Sequence, residues 1–235
     1  MKKRALWWGG FLAACAAAGG CLFPEYHAYT SPFNDFTCEV PYGWSVKTDR
    51  EDDHFTNVTF IGGFDPEFYL GAPSMSVRWH AADRIHKLPN GLLEMYSDSE
   101  DYIRQMLRSV YGPEVNKDYT LDLPDGNPDN AIRTINLKTA NLPARFFVVN
   151  SPTKVPPGWT WGVSVDRKDK RSASLIRKHA YALVPMEGGF YVIVYPATRD
   201  GYSKHEKQFR VLLGSFKPLT HGPAGPSFKV PKAAR

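Results

Sequence analysis

The heptapeptide HAADRIH spaces His80, Asp83 and His86 three residues apart. On a helix that spacing would turn two imidazoles and a carboxylate to one side, as a metal requires. His80 is expected to end a strand, however, which points its ring elsewhere, and no fourth ligand suggests itself. Neutral surface histidines fit the pattern better, so no metal and no cofactor is expected. The nearest approach to a nucleophile elbow, Gly162-Val163-Ser164-Val165-Asp166, lacks the second glycine that the strained turn of G-x-S-x-G needs. Neither G-x-x-x-x-G-K-[ST] nor G-x-G-x-x-G occurs, so no phosphate cradle is indicated. Glu51, Asp52 and Asp53 are consecutive, a placement that suits a solvated turn better than general acid–base work. His179 reads as an edge-strand residue and His205 as a solvated helix residue. No catalytic residue is assigned, and no enzyme activity is expected.

The chemistry the sequence does advertise is lipidation. Lys2, Lys3 and Arg4 form a positive start, followed by the short apolar run of residues 5–14. Leu12-Ala13-Ala14-Cys15 matches a bacterial lipobox, in which a thiol carrying diacylglycerol marks the cleavage point. Ala18-Gly19-Gly20-Cys21 is a second candidate that allows a longer apolar run. Either Cys15 or Cys21 would carry the lipid. The run is interrupted by Gly9-Gly10 and Gly19-Gly20, which argues against a stable transmembrane helix. The third cysteine, Cys38, reads as a small apolar residue on a strand; a disulfide would require Cys15 as the anchor and Cys21 as its partner. Export to the bacterial cell envelope is expected, with the protein held by its N-terminal lipid on the extracytoplasmic side of the membrane.

The formal charge of +5 includes the three leader cations, and without them +2 remains, too little to suggest nucleic acid. The most suggestive surface feature is a basic cluster, Arg167, Lys168, Lys170, Arg171, Arg177 and Lys178, just after Trp159 and Trp161. Aromatic and cationic residues on one loop suit docking to an anionic envelope component, a membrane headgroup or a protein partner. The same residues also suit a solvated hairpin whose tryptophans pack on a sheet edge.

Elements to position these residues follow from the pattern. Residues 22–34 read as a tether. Residues 36–41, 45–47, 55–61 and 74–80 read as an antiparallel meander, and residues 81–94 give no clear pattern. Ser97 with Glu100 is a capping-box signature opening a helix with Tyr102, Ile103, Met106, Leu107 and Val110 on its apolar face. Residues 122–130 are turn-rich, and residues 131–137 and 144–150 are strands. Residues 151–178 are either a hairpin extension or a loop. The strongest pattern is residues 179–219: a strand, Glu187-Gly188-Gly189 as a tight turn, the apolar strand FYVIVY, and an amphipathic helix carrying Tyr202, Phe209, Leu212, Leu213 and Phe216. The tail from 220 to 235 is basic, Pro/Gly-rich and expected to be disordered.

At one end of the chain FTCEVPYGWSV supplies Phe36, Cys38, Pro41, Gly43 and Trp44, and at the other the closing hairpin and helix supply Gly189, Phe190, Tyr191, Phe209, Leu213, Ser215 and Phe216. These two motifs resemble the PsbP-like family. The resemblance covers about a third of the chain. It implies an α+β fold, an α/β/α sandwich with a central antiparallel sheet of about six or seven strands and a helix on each face, over residues 35–219. It carries no function, because these are core and turn residues. The expectation is thus a lipid-anchored envelope protein with a binding or scaffolding domain. The alternative is an envelope enzyme or small-ligand-binding protein with a site between sheet and helix.

Overall fold

The structure, a computed structural model, describes residues 25–50, 56–68, 71–87, 93–110, 119–154 and 174–222. Its centre is the hairpin of β11 (Ser174–Met186) and β12 (Gly189–Thr198), closed where Met186 opposes Gly189. The two glycines of the turn do different work. Gly188 has φ of 75°, the left-handed conformation that a tight turn needs. Gly189 is there for space, since a Cβ on it would stand 2.1 Å from the His80 carbonyl oxygen. That close approach lets β5 (Ser74–Ala81) pair along β12.

Outward from β5 lie β4 (Thr56–Ile61) and β3 (Ser45–Arg50), and on the other flank β11 pairs with β10 (Leu142–Lys154). The far edge of β10 is shared by β8 (Thr120–Leu121) and β9 (Arg133–Leu137). Every pairing is antiparallel, and the sheet has eight strands where six or seven were expected. The extra strand arises because two short segments divide one long edge.

Strand alternation sends two sets of side chains to opposite sides. On β12, Tyr191, Ile193, Tyr195 and Ala197 join one core, which takes in Phe209, Leu212 and Leu213 of α2 (Tyr202–Ser215). Phe190 and Val192 join the other, with Tyr102, Ile103 and Met106 of α1 (Ser99–Ser109). The capping box of α1 is shifted by one residue from the expected pair. Asp98 is the N-cap and accepts from Asp101 N at 2.7 Å, while the Asp101 carboxylate accepts from Ser97 N at 3.2 Å.

Four segments differ from the sequence reading. Residues 36–41 do form a strand, β2 (Phe36–Pro41), but it lies outside the large sheet, between β1 (Tyr26–Thr30) and β13 (Lys217–Pro218). The segment read as a tether therefore contributes β1, whose half-polar alternation fits an edge strand with one side on the core. Residues 81–94, without a clear pattern in sequence, supply β6 (Ile85–Lys87) and β7 (Leu93–Met95), a separate two-stranded sheet. The start of the tail is also pinned: the His221 ring stacks on Trp79 with centroids 3.7 Å apart, and Glu187 N donates to Gly222 O.

The small sheet brings the two end motifs together. Phe36 meets Phe216 at 5.6 Å and Tyr191 at 6.2 Å between ring centroids. Glu39 N donates to Ser215 Oγ at 2.8 Å, and that hydroxyl donates to Val211 O. Cys38 is buried beside them, and burial, with Glu39 adding to it, pushes its thiol up to about 12. It is an inert core group.

Candidate functional site

The space directly between the large sheet and α2 is filled by Tyr195, Phe209, Leu212 and Leu213, all buried. Beside that packing, where α2 passes β9 and β10, a groove opens. It consists of two adjoining hollows, of about 290 Å³ and about 470 Å³, which share Arg133, Phe146, Tyr202, Glu206 and Arg210. β9 contributes Arg133 and Ile135, β10 contributes Phe146 and Val148, β11 contributes Lys178, and α2 contributes Tyr202, Glu206, Arg210 and Leu213. The floor is apolar, and its Ile135 and Phe146 are half-buried.

The rim is cationic. Lys178 lies 2.9 Å from Asp122 with its ammonium 4.8 Å from the Tyr202 ring centroid, and Arg210 lies 2.6 Å from Glu206 one helical turn away. Those two acids neutralise those two cations. Arg133 makes no ion pair among the described residues; its guanidinium sits over the Phe146 ring, 4.9 Å from the centroid. Arg199 has Asp200 at 3.4 Å, but both are more than half exposed, and such a pair contributes little. Lys138 adds a further exposed cation. The groove therefore carries surplus positive charge above an apolar floor.

Sequence reasoning missed most of this groove. Lys178 belonged to the expected basic cluster, and Tyr202 to the apolar face of the helix, but nothing local joined either to Arg133 or Phe146. Of that cluster, Arg177 and Lys178 lie on β11 rather than on a loop, and Arg177 Nη2 donates to Ser151 Oγ at 3.2 Å. Trp159, Trp161, Arg167, Lys168, Lys170 and Arg171 fall outside the described residues, as do Cys15, Cys21 and the incomplete elbow at 162–166.

The histidines read as surface residues are buried. His80 and His86 are 1% and 2% exposed, with ring centroids 5.3 Å apart. A turn with Asp83 in the left-handed region (φ 56°) leads from β5 into β6 and brings His86 Nε2 to 3.2 Å from Ala81 O, so the pair meets across a turn and not along a helix. His80 also stacks on Phe190 at 5.3 Å and meets Tyr96 and Tyr102, which makes it a core residue. Burial first, then the nearby His86 and Arg78, hold its pKa well below the ordinary value. Among the described residues no group of three His, Cys, Asp or Glu side chains is placed to hold a metal. His179 sits in the interior strand β11, not at an edge, and burial with Arg177 nearby pulls its pKa down to about 3. His205 is partly buried between the rings of Trp44 and Phe68 and is not a fully solvated helix residue.

No protein-family model matches the sequence, and no curated protein matches it. The fold is similar to the solution structure of cyanobacterial PsbP from Synechocystis sp. PCC 6803, over 87% of this chain and 99% of that one. The identity is 12% and the TM-score 0.46. A likeness of that degree transfers no activity, ligand or partner.

Proposed function

We propose that this chain is an exported, lipid-anchored protein of the bacterial cell envelope whose α+β domain works by binding, and that the groove beside α2 is its binding surface. The observation that carries the binding half is Arg133, a cation without an ion pair among the described residues, held over the half-buried ring of Phe146. Unpaired cations on a half-buried apolar surface cost stability in isolation and gain from an anionic occupant. The anchoring half rests on the lipoboxes ending at Cys15 and Cys21. Among the described residues no helix is long and apolar enough to cross a membrane. The segment with Trp159, Trp161, Arg167, Lys168, Lys170 and Arg171 joins β10 to β11, the strands that bring Phe146, Val148 and Lys178 to the groove, and is proposed as a second contact surface.

Intact mass and membrane fractionation test the anchor. The wild-type chain, expressed in a bacterium with the lipoprotein pathway, is expected in the membrane fraction with an acyl mass increment. One of Cys15→Ala and Cys21→Ala is expected to lose both. Soluble, unacylated protein in all three cases would remove the lipid anchor from the account.

A further inference from the structure

The groove also indicates the class of molecule it takes. We infer that it is a site for a single-headed amphipathic anion, one carboxylate or phosphate group on an apolar body, with Arg133 holding the head and Phe146, Ile135 and Leu213 holding the body. This deepens the proposed function and rests on the groove being the binding surface.

The charge inventory sets the head group. Asp122 and Glu206 are occupied by Lys178 and Arg210, so neither acid is free to receive a cationic ligand. What remains is Arg133, with Lys138 and Arg199 at opposite ends of the rim. A guanidinium presents a planar fork that matches the two oxygens of a carboxylate or phosphate, and the Phe146 ring lies under that of Arg133, its centroid 4.9 Å from the central carbon. One such fork set over the floor, with Lys138 and Arg199 each lining only one of the two hollows, suits one head group and not a polyanion.

The floor sets the body. A purely inorganic anion would leave Phe146 and Ile135 in water, whereas an apolar chain or ring would cover them and the edge of Leu213. Together the hollows have the size of sites that enclose small organic ligands, and their open side lets a chain run on along α2. An apolar body without a charge would desolvate Arg133 and gain nothing in return.

The test uses the full-length chain with both leader cysteines changed to alanine, purified without detergent and titrated calorimetrically. The probes are decanoate, decyl phosphate, decanol, decyltrimethylammonium and inorganic phosphate, all below micelle-forming concentrations. The expected result is saturable one-to-one binding of at least one of the two anionic amphiphiles, with the other three weaker by about tenfold or more. Which of the two binds identifies the head. Arg133→Gln is expected to weaken the anion about tenfold while leaving the thermal transition in place, and Lys138→Gln to weaken it less. Arg104→Gln, on the exposed side of α1, is expected to change nothing.

Equal binding of decanol and decanoate, or anion binding that survives both Arg133→Gln and Lys138→Gln, would overturn the inference. So would binding of inorganic phosphate as tight as that of decyl phosphate. Failure here with the membrane fractionation intact removes the ligand class and leaves the anchored binding protein standing. A protein found in the groove of the native molecule would replace the small anion outright.

Discussion

Gly189→Ala is expected to destabilise the domain by about 3 kcal/mol or more, toward the upper end of what overpacking a well-filled site costs. The added Cβ would stand 2.1 Å from the His80 carbonyl oxygen and 2.7 Å from Cζ2 of Trp79. Neither can move away cheaply. The carbonyl belongs to β5, which is paired to β12 from Gly189 to Val194, and Trp79 is clamped between Tyr191 and His221. Gly188→Ala is the informative comparison. Its Cβ would enter open space, so the cost is the left-handed backbone alone, about 1 kcal/mol. Urea unfolding of the two variants should therefore separate them by about 2 kcal/mol, Gly189→Ala being the weaker. Equal losses would mean that the close approach of β5 to the hairpin is not a constraint on the fold.

Acid is expected to weaken the domain well before its carboxylates titrate. His179 has its pKa pulled down to about 3 by burial and Arg177, against about 6.5 in an unfolded chain. A group whose folded pKa is depressed binds its proton more readily when unfolded. Its contribution is complete above about pH 6.5 and is lost as the pH falls toward 3. From pH 7 to pH 5 the loss from His179 is about 2 kcal/mol. His80, lowered in the same direction by burial among Phe190, Tyr96 and Tyr102, adds to it with the same sign. Urea midpoints between pH 7 and pH 5 should fall for the wild type and fall less for His179→Phe and for His80→Phe. A wild-type midpoint that stays level across this interval would contradict the burial of both imidazoles as neutral rings.

How much of this was legible in the sequence depends on the range of the interaction. The β11–β12 hairpin was readable because its determinants are adjacent: alternating apolar residues, a turn with a left-handed glycine, and a run buried on both sides. Even there, Gly189 reads as a turn residue although its purpose is clearance for β5, a strand more than a hundred residues earlier. The apolar faces of α1 and α2 were readable from helical spacing, and each packs on one of the two side-chain sets of β12.

Long-range placement was not readable. β2 alternates like any strand of the meander, and nothing in FTCEVP says that it leaves for a small sheet to meet Phe216 and Ser215. YHAYT looks like a linker because its core-facing residues are few, yet pairing with β2 makes it β1. His80 and His86 looked solvated because the hairpin that covers them has exposed Ile85, Leu93 and Met95 and no strong pattern. The groove was the least legible feature of all. Its cations and aromatics come from β9, β10, β11 and α2, and each has an ordinary local explanation.

Native mass spectrometry of the acylated protein, released from its own membrane in a mild detergent, bears most directly on the central claim that this is an anchored binding protein working through the groove beside α2. The expected spectrum shows the lipidated chain with a discrete, dissociable occupant, small molecule or protein, and that occupant is lost from Arg133→Gln while the acyl mass is kept. An empty wild-type chain, or an occupant that persists unchanged in Arg133→Gln and Lys138→Gln, would contradict it.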